Sequence, residues 1–210
     1  MKSASGIFQN IIEDDIFLGL NRINRWMGSD TIKTETVGGH SYDVTIIVRT
    51  LVEEIFPDRA FKEKLEVTTD AAMHDFDEVF SGDITHKVKY NKINGNSIKD
   101  AIEVFCDGSL REYFGGEEKS AKMFLESTTD KNQYSHDLIK VADWLSMSIF
   151  SKKEVEMGNK RFGSVLEHCI QSLNSACDTS KKSLLSKEFN FVLDLAMLDE
   201  IKNLDWYREL

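Results

Sequence analysis

The chain has 210 residues, 41% of them hydrophobic, and a formal net charge of −10. That length suits one sizeable domain with an apolar core, and no uninterrupted apolar stretch is long enough to span a bilayer. The acidic balance, with no basic stripe, excludes a protein that grips long nucleic acid by its phosphates. Small anionic substrates stay within reach, because a bound cation and a few Arg or Lys side chains can reverse the field inside one pocket.

Pro57 is the single proline, and no Gly/Ser-rich or charge-block linker interrupts the chain. This composition predicts a compact all-α body, one domain over residues 1–210 with its C-terminal helices packed on it. Taken in order, Ile7, Ile11, Ile12, Phe17, Leu18, Leu20, Ile23 and Trp26 recur at helical spacing and predict a first helix over 5–27. Acidic Glu13, Asp14 and Asp15 interrupt any secretory apolar core there, so the expected location is the cytoplasm. A polar loop runs from Gly28 through Gly39, and a second helix is predicted from His40 to Phe56, stopped by Pro57. A third is predicted from Asp58 to Ser81, with Gly82 as its break.

Beyond it, Thr85–Tyr90 reads as a short turn or helix and Asn91–Asn96 as a loop. Ser97–Phe114 and Glu117–Ser127 read as helices split by Gly115-Gly116. His136–Met157 is a strongly patterned helix with Gly158 placed for a left-handed cap. Residues 160–177 and 182–202 close the chain as two more helices. Alternating Val/Ile/Thr runs are missing, which makes a sheet unexpected. Cys106, Cys169 and Cys177 are odd in number and lack CxxC spacing, as expected of reduced thiols in a cytosolic protein.

The chemistry concentrates in Met73-His74-Asp75-Phe76-Asp77-Glu78, with His40 upstream and Asp143 downstream. Two imidazoles and two carboxylates make a mixed nitrogen/oxygen donor set, better suited to a divalent cation than to a cysteine-built structural zinc site. On a continuous helix Glu78 shares a face with His74 and Asp75, where it could pass a proton to water or to a leaving group. Asp143 lies in an otherwise apolar helix and needs a partner, either a cation or an arginine. Trp26 reads as core or as a binding surface, and Lys33, Lys87 and Lys89 as solvated side chains or as a lure for an anion.

Four separated pieces carry a resemblance: Asn24-Arg25-Trp26; Thr34-Glu35-Thr36-Val37-Gly38-Gly39-His40-Ser41; His74-Asp75 through Glu78 to Gly82-Asp83 and Val88-Lys89-Tyr90; and Ala142-Asp143. In that order, with Gly158-Asn159 and Phe162 after them, the chain resembles the HD-domain phosphohydrolases, and within them the bacterial 5′-deoxynucleotidase (YfbR-like) branch. The likeness spans residues 20–162, with a divergent middle from Asn91 to Gln133.

The resemblance implies an all-α HD-domain bundle, commonly a homodimer, that hydrolyses deoxyribonucleoside 5′-monophosphates to deoxynucleoside and phosphate. It implies that His40, His74, Asp75 and Asp143 hold one divalent metal ion (Co, Mn, Zn, Mg, Ni or Fe). Glu78 matches the catalytic acid/base, Arg25 a phosphate-binding residue, and Asp83 a substrate-site carboxylate. Trp26 matches a ring that packs on the sugar and disfavours a ribose 2′-hydroxyl. Three departures stand out: Ile84-Thr85-His86-Lys87 lack the prolines that commonly follow the glycine-aspartate, His86 replaces a small hydroxyl residue at the substrate pocket, and Gly38-Gly39 replace a more polar pair in the entry loop before His40. Two other functions stay open, a deoxynucleoside triphosphate phosphohydrolase on the same fold and a catalytically silent nucleotide-binding module.

Overall fold

The computed structural model of the protein describes residues 19–89, 95–113 and 133–183. Among these the regular elements are helices, as the sequence predicts: a 3₁₀ turn at Leu20–Arg22, then α1 (Val37–Ile55), α2 (Phe61–Ala72), α3 (Glu78–Ser81), α4 (His86–Lys89), α5 (Gly95–Tyr113), α6 (Gln133–Glu156) and α7 (Phe162–Ser183). The only extended pairing among the described residues is an isolated antiparallel bridge between Asn24 and Thr36. The chain divides into two compact units. The first takes the described residues up to Asp30, Thr34–Tyr42, and those from Met73 through α5; the second takes Thr31–Lys33, Asp43–Ala72, α6 and α7.

In the second unit Val44, Val48, Leu51 and Val52 of α1 recur at spacings of three and four, which puts them on one face. They are buried with Val67 and Ala71 of α2, Leu138 and Ala142 of α6, and Leu173 of α7. At the far end of α6 the chain turns through Gly158 at φ 98°. The Gly158 N–H reaches the Val155 carbonyl at 2.8 Å and the Asn159 N–H reaches that of Glu154 at 2.9 Å, the paired bonds of a glycine-terminated helix. Phe162 follows, 1% exposed, and meets Phe150 edge-on at 6.0 Å. The Gly-Asn-x-x-Phe stretch is therefore a helix stop followed by a core anchor.

Glu154, at the same corner, is fully buried. Its oxygens accept the Ile32 N–H at 2.7 Å, the Lys33 N–H at 2.8 Å and the Asn159 side-chain amide at 2.8 Å. Burial alone would raise its pKa; the Ile32 amide, Asn159 and Lys33 outweigh it, and the carboxyl sits below its ordinary value. A depressed carboxylate stabilises the fold above the unfolded-state pKa, and that stability is lost as pH falls through the folded one. Glu154→Ala orphans two backbone amides, so we expect a loss of about 3 kcal/mol in urea unfolding at pH 7. An unchanged midpoint would refute the corner's structural role.

The first unit packs Leu20, Val37, Phe76 and Leu110, flanked by Ile23, Met73, Val79 and Phe80. Two sequence expectations fail here. The predicted helix over 5–27 lies outside the described residues up to 18, and beyond them it does not continue to Trp26. Ile23 is extended at φ −90°, ψ 114°. The Arg25 N–H then binds the Glu35 carbonyl at 2.8 Å and the Val37 N–H that of Ile23 at 2.9 Å. A partner segment, not the next helical turn, satisfies this backbone.

The predicted helix over Asp58–Ser81 likewise stops at Ala72. From Met73 the hydrogen bonds shorten to the i, i+3 pattern, with Phe76 N–H on Met73 at 3.1 Å and Glu78 N–H on Asp75 at 3.0 Å. Tight turns therefore stand between the His-Asp pair and α3, and Glu78 begins its own short helix. Elsewhere the boundaries move little. α1 starts at Val37, ahead of the expected His40, because Thr36 Oγ1 caps it by accepting the Gly39 N–H at 3.1 Å. α5 begins at Gly95, inside the expected Asn91–Asn96 loop, α6 lies close to its expected span, and α7 runs past its expected end at 177, through the expected break, to Ser183. The helix expected over Glu117–Ser127, the Gly115-Gly116 break, and the closing helix beyond Ser183 lie outside the described residues.

Candidate metal centre and active site

Thr36, Gly38 and Asn21 set the position of His40. Thr36 fixes where α1 begins, and Asn21 occupies the space that a Cβ on residue 38 would fill. Gly38 thus lets the Asn21 segment lie against the first turn of α1, which explains a small residue there in place of a polar one. One turn later His40 is entirely buried. The turns after Ala72 supply its neighbours. His74 Nε2 lies 3.1 Å and His40 Nε2 3.9 Å from Asp75 Oδ2, and the two imidazoles face each other at 5.4 Å between centroids, tilted by 54°.

One donor atom from each of His40, His74 and Asp75 lies within 4.8 Å of the others. Two imidazole nitrogens and one carboxylate oxygen so placed suit a borderline-hard divalent cation. Burial would push the Asp75 carboxyl up, but His74, Arg25 and His40 outweigh it and hold it well below the usual carboxylate range, the ionised form a metal ligand needs. Asp143 sits on α6, in the second unit, with Lys140 Nζ 3.9 Å from its Oδ2.

Glu78 opens α3 and is 5% exposed. Lys89 Nζ approaches its Oε1 at 3.2 Å, while Oε2 is buried without a hydrogen bond among the described residues. Burial, then the Asp75 charge, push the Glu78 carboxyl up to about 8; Lys89 works in the other direction without cancelling them. Lys89 itself is held protonated: burial works against its charge, but Glu78 and Asp77 raise its pKa on balance. A carboxyl that keeps its proton at neutral pH beside an ionised one is the division of labour expected of a general acid next to a ligand.

Arg25 and Trp26 sit on the turn that follows the Asn24–Thr36 bridge. Trp26 adopts φ 65°, the only non-glycine residue with positive φ among those described. Asp83 Oδ2 accepts its backbone N–H at 2.9 Å, and Glu35 Oε2 its indole N–H at 2.7 Å. The Arg25 guanidinium lies 5.9 Å from the ring centre. Asp83, matched in sequence to a substrate-site carboxylate, here supports the Trp26 turn. Two residues gain weight that sequence reasoning did not give them. Glu35 was inside a recognised motif with no role, and Lys89 looked like an exposed lysine although the Val-Lys-Tyr triplet flagged its position.

The helical fold resembles that of the HD-domain phosphohydrolases. Two solved structures share the fold. An HD-domain phosphohydrolase from Listeria innocua superposes with a TM-score of 0.68 at 17% identity, covering 97% of this chain and 92% of that one. A conserved hypothetical protein from Pyrococcus furiosus gives 0.59 at 22% identity, with 86% and 96% covered. In sequence, 5′-deoxynucleotidases from Yersinia pestis (strain Pestoides F) and Yersinia pseudotuberculosis serotype O:1b (strain IP 31758) are each 28% identical over 149 residues, 68% of this chain and 73% of theirs. The family model of YfbR-like 5′-deoxynucleotidases matches residues 15–189. The chain belongs to that family, and with it to the phosphoric monoester hydrolases.

Proposed function

We propose that the protein hydrolyses deoxyribonucleoside 5′-monophosphates to deoxynucleosides and phosphate. The observation that carries this is the close group of His40, His74 and Asp75 in the same unit as the buried Glu78, whose carboxyl burial and the Asp75 charge push up. In this reading the three residues, with Asp143 as the fourth ligand implied by the family resemblance, hold one divalent cation of the Co, Mn, Zn, Mg, Ni or Fe class. Such a cation would supply Lewis-acid stabilisation of the charge that builds on the phosphoryl oxygens.

The remaining steps belong to the side chains. Arg25 binds the phosphate through its planar guanidinium, which can present two parallel N–H groups where lysine offers a point charge. Water adds to phosphorus and its protons stay on the phosphate formed, the bond from phosphorus to the 5′-oxygen breaks, and Glu78 delivers its proton to that leaving oxygen and is reprotonated from solvent. Lys89 holds Oε1 and so leaves Oε2 for the transfer. Trp26 packs against the sugar and crowds a 2′-hydroxyl. The same resemblance supports a homodimer, which sedimentation at micromolar concentration checks.

The direct test is phosphate release from a panel of deoxy- and ribonucleoside monophosphates with each divalent ion in turn. We expect turnover of the deoxy series, loss of at least about 95% of it on chelation, and recovery on adding back one metal. Tripolyphosphate from a deoxynucleoside triphosphate, with no monophosphatase activity, would overturn this reading in favour of the triphosphohydrolase.

A further inference from the structure

Trp26 presents a question that its match to a sugar-packing residue does not answer. A bulky side chain at φ 65° sits where L residues lose about 1–2 kcal/mol to the clash of Cβ with the carbonyl. Such a residue persists only if its surroundings over-determine it. Here the backbone is fixed by Asp83, and the Arg25–Glu35 bridge bond holds the preceding peptide. The ring has two torsions and one polar atom, an obligate donor. Glu35 Oε2 accepts from that atom at 2.7 Å, the short end of N–H···O hydrogen bonds. With backbone and N–H both anchored, the half-buried indole is restrained at two points.

We propose that Glu35 is a positioning residue that locks the Trp26 ring in the plane from which it discriminates deoxyribose from ribose. Glu35 acts twice in this clamp, its carbonyl on the Arg25 amide and its carboxylate on the indole. Only the second function is lost on side-chain substitution, so the strap that builds the turn survives in a variant. The selectivity part of the proposal rests on the nucleotidase reading; the clamp does not.

The two are separable by experiment. The metal-free protein has three tryptophans and hence three indole N–H resonances in a ¹⁵N correlation spectrum, and the one missing in Trp26→Phe is that of Trp26. In Glu35→Leu this resonance should shift and exchange faster with solvent, while Glu35→Gln, which keeps an acceptor oxygen, should restore most of its position. For the active enzyme, the deoxy-to-ribo ratio of kcat/KM should fall roughly three- to tenfold in Glu35→Leu, mostly through a lower KM of the ribo substrate once the crowding of its 2′-hydroxyl is relieved. Gln should rescue it, and Trp26→Phe should lower it alike with no further loss in the double variant. If Glu35→Leu loses its helical circular dichroism, Trp26→Phe decides by the same ratio, because it deletes the donor and leaves Glu35 in place. An unmoved indole resonance overturns the clamp. A shifted resonance with an unchanged ratio overturns its role in selectivity. A shifted resonance in a protein that hydrolyses neither series upholds the clamp and rejects the nucleotidase reading.

Discussion

Glu78→Gln should lower kcat by about a thousandfold while nucleotide binding survives, since general acid catalysis is worth roughly 10²–10⁴ in rate. The substitution keeps the shape of the side chain and an oxygen for Lys89 Nζ, now 3.2 Å from Oε1. It removes only the transferable proton. Rapid-quench assays give kcat, and calorimetry on the inactive variant gives the dissociation constant. A Gln variant with turnover within tenfold of the parent would eliminate Glu78 as the acid. A large loss of affinity would instead point to a binding role.

The protonation state of Glu78 adds a second signature. Burial and the Asp75 charge place its carboxyl at about 8, well above the unfolded value of roughly 4.3. A group whose pKa is raised on folding contributes stability below the unfolded pKa, and loses it as pH climbs through the folded one. The metal-free parent should therefore weaken between about pH 4.5 and 8 by an amount that Glu78→Gln, neutral throughout, does not lose. Thermal midpoints should converge in acid and diverge above pH 8, with the Gln variant the more stable. In the loaded enzyme a cation among His40, His74 and Asp75 adds positive charge, so the alkaline limb of kcat should fall at or below about 8.

How much of this was readable in the residues depended on whether the deciding interaction was local. α1, α6 and the all-α class were legible because apolar spacing alone specifies a helix face, and Gly158 announced its own left-handed turn. His40, His74 and Asp75 were legible as a group through an ordered motif, although their spacing says nothing of distance. The segment from Ala72 to Glu78 was not: its apolar pattern continues the helical period, and only the hydrogen-bond ladder reveals the change to tight turns. The failure of the predicted helix at Ile23 has the same origin, because its competing partner, Thr36, lies on the far side of a loop. The contacts of Glu35 and Lys89 were invisible for a related reason. An acidic residue in a loop and a lysine in a short helix carry no signal until the indole and the buried carboxylate they serve are placed beside them.

Asp75→Asn should abolish metal loading and with it activity, by at least about a thousandfold if the cation contributes some 4 kcal/mol to the transition state. Asn keeps volume and one oxygen but removes the negative charge that His74, Arg25 and His40 hold in place. Metal content by elemental analysis should drop from near stoichiometric to near zero, and the rise in thermal midpoint on adding the metal to chelated parent should vanish in the variant. The second measurement separates a ligand from a residue that merely touches substrate, because it reads metal affinity in the absence of any nucleotide. A midpoint that still rises as in the parent would place the cation elsewhere. Full metal content with lost turnover would move Asp75 from the metal to the phosphate. Because Asp75 is also the charge that helps raise Glu78, the variant should in addition lower the Glu78 pKa. In the metal-free protein Asp75→Asn should therefore shrink the stability gained by a second Glu78→Gln substitution at pH 9, a coupling that a site of two independent carboxylates would not show.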